Sequence, residues 1–253
     1  MHVSSRLSSG GLIFCATAAF AVADDRNPFR YQIHDSNRAQ PPVVDPGSAG
    51  PPVPPPADAI VLFDGSDFEH WRAMDGSEVP WKLVDGAMQV VPESGDIRTK
   101  RTFGDVQLHV EFKTYLDSPG SGQSRSNSGV FLGPYEVQVL DSYENETYPD
   151  GMVGALYGQY PPLVNAARPP GEWQTFDIIY RAPVFNDAGV MVRPARFTVF
   201  HNNVLVQDNE ELIGPTSHAI RQHYHAHGNV PIRLQDHADD LMHFRNIWVR
   251  ELD

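Results

Sequence analysis

From Asp58 to the C-terminus no stretch of a dozen residues keeps a helical period, while short runs of β-branched and aromatic residues recur between Gly, Pro, Asn and Asp punctuation. That pattern excludes a helical bundle or a layer of crossover helices, and it predicts an all-β fold. The expected strands are residues 60–63, 81–84, 87–91, 106–115, 128–132, 135–140, 175–181, 196–200, 204–207, 231–234 and 243–251. About eleven short strands suit a two-sheet sandwich. Asp85-Gly86 and His201-Asn202-Asn203 carry residues that tolerate positive φ, which marks both as tight hairpin turns.

With 253 residues, 41% of them hydrophobic, the chain can fill one substantial core, so one globular unit at 58–253 is expected. Residues 1–23 read as a signal peptide: Arg6 is the positive n-region, residues 11–22 are apolar, and Ala21-Val22-Ala23 is a small-residue cleavage pattern. The apolar run is too short to cross a bilayer. The protein is therefore expected to be exported, periplasmic or extracellular, and not membrane-spanning. Residues 24–57 are polar and then Pro-rich, with Pro41-Pro42, Pro51-Pro52 and Pro54-Pro55-Pro56, which predicts a flexible, polyproline-like linker. The 32 Asp and Glu outnumber the 19 Lys and Arg, and a formal charge of -13 repels a polyanion, so no nucleic acid partner is expected. The single cysteine, Cys15, falls in the signal segment. The mature chain is left without a disulfide or a thiolate ligand, so any cation must be held by oxygen or imidazole.

Three strands alternate in a way that puts polar groups on one face. They carry His109, Glu111 and Lys113; Glu136 and Gln138; and Arg233, Gln235 and His237. Such a face is either a solvated surface or, on a concave sheet, a carbohydrate cleft. Asp141 follows the second of these strands, and Glu172-Trp173 follows Pro169-Pro170-Gly171. Carboxylates beside aromatics suit glycosidic chemistry, in which protons are moved and rings stack on sugar C–H faces. Glu136 reads equally as half of a structural ion pair, and Asp141 equally as a turn residue. His223, His225 and His227 would share one side of an extended segment and could hold a divalent metal, unless the segment is an irregular loop. Asp236, Asp239 and Asp240 lack the spacing of a calcium loop and read as a solvated turn.

Eight motifs occur in one order across the domain. They are Leu62-Phe63-Asp64-Gly65 with Trp71, Trp81 before Asp85-Gly86, Asn127-Ser128-Gly129-Val130-Phe131, the stretch from Tyr135 to Asp141, Gly154-Ala155-Leu156-Tyr157-Gly158, Pro170-Gly171-Glu172-Trp173, Leu234-Gln235-Asp236-His237, and Phe244-Arg245-Asn246-Ile247. Together they resemble the 3-keto-disaccharide hydrolase family. The resemblance implies a concanavalin A-like jelly-roll sandwich and a carbohydrate substrate already oxidised at C3. It also implies a mechanism of C2 proton abstraction, elimination of the C1 leaving group, and hydration. On it rest Glu136 or His237 as base and Asp141 or Glu172 as acid or water-activating group. Asn127, Gln138, Tyr157, Trp173, Gln235 and Arg245 are the implied substrate contacts, with a divalent cation as the alternative holder of the enolate. The sequence departs from the pattern at Gln174, where relatives carry Asn, and at residues 217–229, which hold the three His; both departures are expected to bear on substrate choice. A non-catalytic carbohydrate-binding module is the alternative reading, since this fold serves both purposes.

Overall fold

The computed structural model describes residues 26–238 and 240–252, so residues 1–23, expected to be a signal peptide, and Cys15 with them lie outside the described residues. The strands are β1 (Ile60–Phe63), β2 (Trp71–Ala73), β3 (Lys82–Val84), β4 (Ala87–Gln89), β5 (Ile97–Phe103), β6 (Val106–Thr114), β7 (Ser128–Leu132), β8 (Tyr135–Val139), β9 (Trp173–Arg181), β10 (Val184–Phe185), β11 (Met191–Arg193), β12 (Arg196–His201), β13 (Val204–Glu211), β14 (Val230–Leu234) and β15 (Met242–Glu251). Among the described residues the only helical pieces are two 3-10 turns, Gly122–Ser124 and Pro149–Gly151. None is long and apolar enough to cross a membrane.

Every expected strand is present. β2, β5, β10 and β11 were not expected, and β5 shows why: only Ile97, Thr99 and Phe103 of Ile97-Arg98-Thr99-Lys100-Arg101-Thr102-Phe103 are buried, so cationic outward positions hide the alternation. The strands form an eight-stranded sheet ordered β13-β12-β9-β6-β15-β4-β3, with β1 also on β15, and a five-stranded sheet ordered β2-β5-β14-β7-β8. Phe112, Phe176, Phe197 and Phe244 of the larger sheet and Val130, Val137, Ile232 and Leu234 of the smaller belong to one shared core. This is the jelly-roll sandwich expected. Asp85 (φ 49) with Gly86 and Asn202 (φ 52) with Asn203 (φ 66) make the two expected hairpin turns. Gly65 (φ 97) meets a second need as well: a Cβ there would sit 2.8 Å from the Gly86 carbonyl oxygen.

The Pro-rich stretch is not a free tether. It crosses the sandwich as a strap that builds no ladder beyond one bridge, Val43 to Asn165. Its prolines lack N–H donors, so the strap is held chiefly through its carbonyls, which accept from donors on the domain. Asn165 N–H donates to Pro42 O (2.9 Å), Arg168 Nε to Gly47 O (2.8 Å) and Asn246 Nδ2 to Val53 O (2.8 Å). Arg38 reaches Asp150 at 3.7 Å with both side chains almost fully buried. A chain already extended gives up little entropy on docking.

The three polar faces separate. His109 and Glu111 lie on the larger sheet and are buried rather than solvated or concave. His109 stacks on Trp248 (4.9 Å between centroids) and meets Asp177 at 2.8 Å, while Glu111 accepts from Arg245, Asn246 and the strap's Val53 N–H. The other two faces share the outer side of the smaller sheet, where β7 pairs with both β8 and β14.

Candidate active site

β7 and β8 run antiparallel with Phe131 opposite Glu136 and Gly129 opposite Gln138, and β14 adds Arg233 opposite Phe131. The period of two places all of these on one face. The guanidinium of Arg233 lies 3.5 Å over the Phe131 ring and is paired with Asp96. Gly129 is obligatory for space rather than for φ. A Cβ there would stand 2.6 Å from Glu136 Oε1 and 2.5 Å from the Phe131 ring.

Above this face opens a cavity of 290 Å³ lined by Asn127, Glu136, Gln138, Tyr157, Thr216, Ser217, His218, Gln235 and His237. Six residues anticipated from sequence are thus brought together: Asn127, Glu136, Gln138, Tyr157, Gln235 and His237. Glu136 is 7% exposed. Burial pushes its carboxyl up to about 8; Arg233 opposes that shift and Asp96 adds to it. The Gln138 amide lies 2.8 Å from Glu136 Oε1 and can meet either protonation state. Its nitrogen donates to a carboxylate. Toward the protonated acid its oxygen accepts, while the nitrogen donates to Gln123 Oε1 (3.1 Å) and Asn127 Oδ1 (3.3 Å). His237 contacts Asp240 at 3.4 Å, and this hydrogen bond raises its pKa against the effect of burial. Tyr157 hydroxyl bridges Tyr148 hydroxyl (3.0 Å) and His218 Nδ1 (3.1 Å), and burial raises its pKa, so it stays a protonated donor.

The remaining four candidates lie elsewhere. Asp141 is fully buried, 2.7 Å from Arg125 Nε, and accepts from Tyr143 N–H, so it closes a turn. Glu172 is exposed and lines a separate 530 Å³ groove beside the strap. Trp173 and Arg245 stack on each other (3.9 Å), and Arg245 is bound to Glu111 on the larger sheet. These four, expected at the site, are not among the residues that line the cavity around Glu136. Gln174 is buried, accepting from Arg168 N–H and Asn202 Nδ2 beside His201, so its difference from Asn is a matter of packing.

Residues 217–229 do reach the pocket, through Ser217 and His218 rather than the three later histidines. His223 and His225 are exposed, and His227 contacts the Tyr135 hydroxyl (2.9 Å) in an irregular segment. Among the described residues no group of three or more His, Cys, Asp or Glu could hold a metal ion. Thr216 was also missed; its hydroxyl accepts from Glu136 N–H and donates to Pro134 O, fixing the loop against β8.

The strap backs this wall from behind. His34 stacks on Tyr148 at 3.9 Å and packs against Tyr157 (5.0 Å) and His218 (4.9 Å), with its backbone N–H on Asp150 Oδ2 (3.0 Å). Burial, with His218 adding to it, lowers its pKa to about 4, so the ring is neutral at neutral pH. His34→Ala is expected to raise KM by about fivefold with a smaller change in kcat, because an edge of two aromatic contacts of about 0.5–1 kcal/mol each is lost behind the pocket wall. Michaelis kinetics check this. A drop in Tm with KM unchanged would make the contact purely structural.

Residues 58–250 match the family described as the 3-keto-alpha-glucoside-1,2-lyase-like domain. The 3-keto-disaccharide hydrolase of Bacteroides thetaiotaomicron is 26% identical over 238 residues, covering 78% of this chain and 81% of that protein. Among solved structures, a candidate glycosyl hydrolase from Parabacteroides distasonis ATCC 8503 is 41% identical, covers 81% of this chain and 95% of its own, and has a TM-score of 0.75. A second from the same organism, 21% identical with a TM-score of 0.56 over 78% of this chain and 94% of its own, shares the fold. The strap, with His34, precedes the matched span.

Proposed function

From the chain's membership of the 3-keto-alpha-glucoside-1,2-lyase-like family, we propose that it cleaves glycosides oxidised at C3, outside the cytoplasm, by elimination across C1 and C2 followed by hydration. The observation that carries this reading is a cavity with one buried carboxyl held near 8 and one imidazole held toward its charged form, surrounded by amide and hydroxyl groups. A conventional glycosidase wants two carboxyls flanking one bond. Among the described residues that line this cavity, Glu136 supplies the single carboxyl. A C3 ketone removes that need, because it makes the C2 proton acidic.

Glu136 is the base. It lies deep, and a carboxylate stripped of water is strong enough to take a proton from carbon. The electrons left at C2 delocalise onto the C3 oxygen, where Tyr157 hydroxyl and the Asn127 amide are the donors available to the enolate. The enolate collapses to a C1=C2 double bond conjugated with the restored ketone as the C1–O bond breaks, and the leaving oxygen takes its proton from His237, whose pKa is raised by its hydrogen bond to Asp240. Water then adds to C1, C2 regains a proton, and the products are the 3-keto sugar and the free alcohol. Sugar hydroxyls fall to Gln138 and Gln235.

The test is a matched pair, a glucoside and its 3-keto form, incubated with purified protein. Release of the alcohol from the ketoside alone, with deuterium entering C2 in heavy water, is expected. Cleavage of the unoxidised glucoside at a comparable rate overturns the reading, as does binding of both sugars without cleavage.

A further inference from the structure

A second cavity, of 380 Å³, adjoins the first, and the two share His237 as a lining residue. Their walls differ in kind. The first is lined by amides, hydroxyls, imidazoles and one carboxyl, whereas Tyr115, Pro119, Ala238 and Leu241 give the second an apolar surface. Its polar groups are already engaged in part: Ser124 donates its hydroxyl to Ser121 O (2.9 Å), and Asp240 faces His237. Tyr115 is 39% exposed, and its backbone N–H donates to Ser126 Oγ (3.1 Å), so an aromatic side chain on an anchored backbone is offered to the cavity.

We propose that this second cavity is the leaving-group subsite and that it takes an apolar or aromatic aglycone. The inference rests on the reaction proposed above, in which His237 protonates the departing oxygen. That oxygen joins the two halves of the substrate, and the imidazole lies where the two cavities meet. The 3-keto ring belongs with the hydrogen-bonding groups around Glu136, and the group on the far side of His237 meets Tyr115 and Leu241. Beyond Ser118, Ser124, His237 and Asp240, the described lining offers a second sugar's hydroxyls few side-chain partners, and each hydroxyl left unpaired there costs binding energy. A phenyl ring instead gains area burial and stacking on Tyr115.

Binding can be read without turnover in the Glu136→Gln background, by calorimetry with methyl and phenyl 3-keto-glucosides. The phenyl ketoside is expected to bind about tenfold more tightly, equivalent to about 1.4 kcal/mol. That advantage is expected to shrink to about twofold or less when Tyr115→Ala is added. Leu241→Ser, at another residue of the lining, is a second variant expected to reduce it, and it decides the matter if Tyr115→Ala does not fold. Equal affinities for the two ketosides, no binding of either, or an advantage untouched by both variants overturns the subsite. Failure of the reaction reading shows separately, as wild-type protein that releases neither methanol nor phenol.

Discussion

Glu136→Gln is expected to lower kcat/KM by about 10²–10⁴-fold while raising the stability of the protein at neutral and alkaline pH. Loss of activity follows from loss of the base. It should be as large for a phenol leaving group as for an alcohol, because proton removal from C2 does not depend on what departs from C1. His237→Ala should behave differently, with a deficit that shrinks for phenols, since a good leaving group needs no acid. With a phenol substrate, the remaining pH dependence of His237→Ala should be a single limb rising through about 8, the value to which burial pushes Glu136. The gain in stability follows from linkage. A carboxyl raised from 4.5 to about 8 binds its proton more tightly in the folded state. Its stabilising share is complete below the unfolded value and is lost as pH climbs through the folded one. Gln does not titrate, and its nitrogen can donate to the Gln138 oxygen now 2.8 Å from Glu136 Oε1. The variant should therefore match wild type near pH 4 and exceed it by on the order of 3 kcal/mol at pH 7, or several degrees in Tm. Thermal melts from pH 4 to 9 check this. A Tm difference that does not widen with pH would mean that Glu136 is not held protonated by its burial.

The fold was legible because hydrophobic alternation and turn chemistry are local, and both survive in β6, β8, β12 and β15. β5 was hidden because its outward positions are Arg and Lys, which mimic a loop. The site was legible where it follows from strand period alone: Glu136, Gln138 and Gln235 share a face because β7 joins β8 to β14. Period gives the face of a strand but not the sheet it enters. His109 and Glu111 alternate as cleanly as Glu136 and Gln138, yet they sit on the other sheet beneath the strap. Motif proximity failed in the same way. Asp141 stands two residues beyond the end of β8 and turns inward to Arg125, and Arg245 is taken by Glu111. His34, Thr216 and His218 had no signal to find, because a loop residue reaches a pocket through tertiary contacts. The strap was misjudged because Pro-rich composition specifies an extended chain and says nothing about what lies alongside it. What ties it down is tertiary: carbonyls offered to Asn165, Arg168 and Asn246, the Val53 N–H on Glu111, and Arg38 beside Asp150.

Arg125→Met is expected to cost about 3 kcal/mol at pH 7 and to lower Tm by roughly 10 °C, because it strands a buried carboxylate. Asp141 has no exposure, while Arg125 keeps about a fifth of its side chain in solvent, so the two partners are not equivalent. Removing Arg125 leaves Asp141 with the Tyr143 N–H as a donor and no counter-ion. Removing the charge on Asp141 leaves a guanidinium that can turn to water. Asp141→Asn should therefore cost less, about 1–2 kcal/mol, keeping the oxygen that accepts from Tyr143. Burial already raises the Asp141 pKa, with Arg125 acting against it. Losing Arg125 raises it further, so the Arg125→Met deficit should narrow as pH falls and the carboxyl takes up a proton, and Asp141→Asn should show no such recovery. Neither side chain lines the cavity around Glu136. Folded Arg125→Met should therefore retain kcat within about threefold on a 3-keto-glucoside, since a side chain outside the cavity lining acts on stability rather than on the transition state. Melts at pH 4.5 and 7 together with kcat at a temperature well below both midpoints decide the matter. A hundredfold loss of kcat in Asp141→Asn with Tm unmoved would return Asp141 to the chemistry.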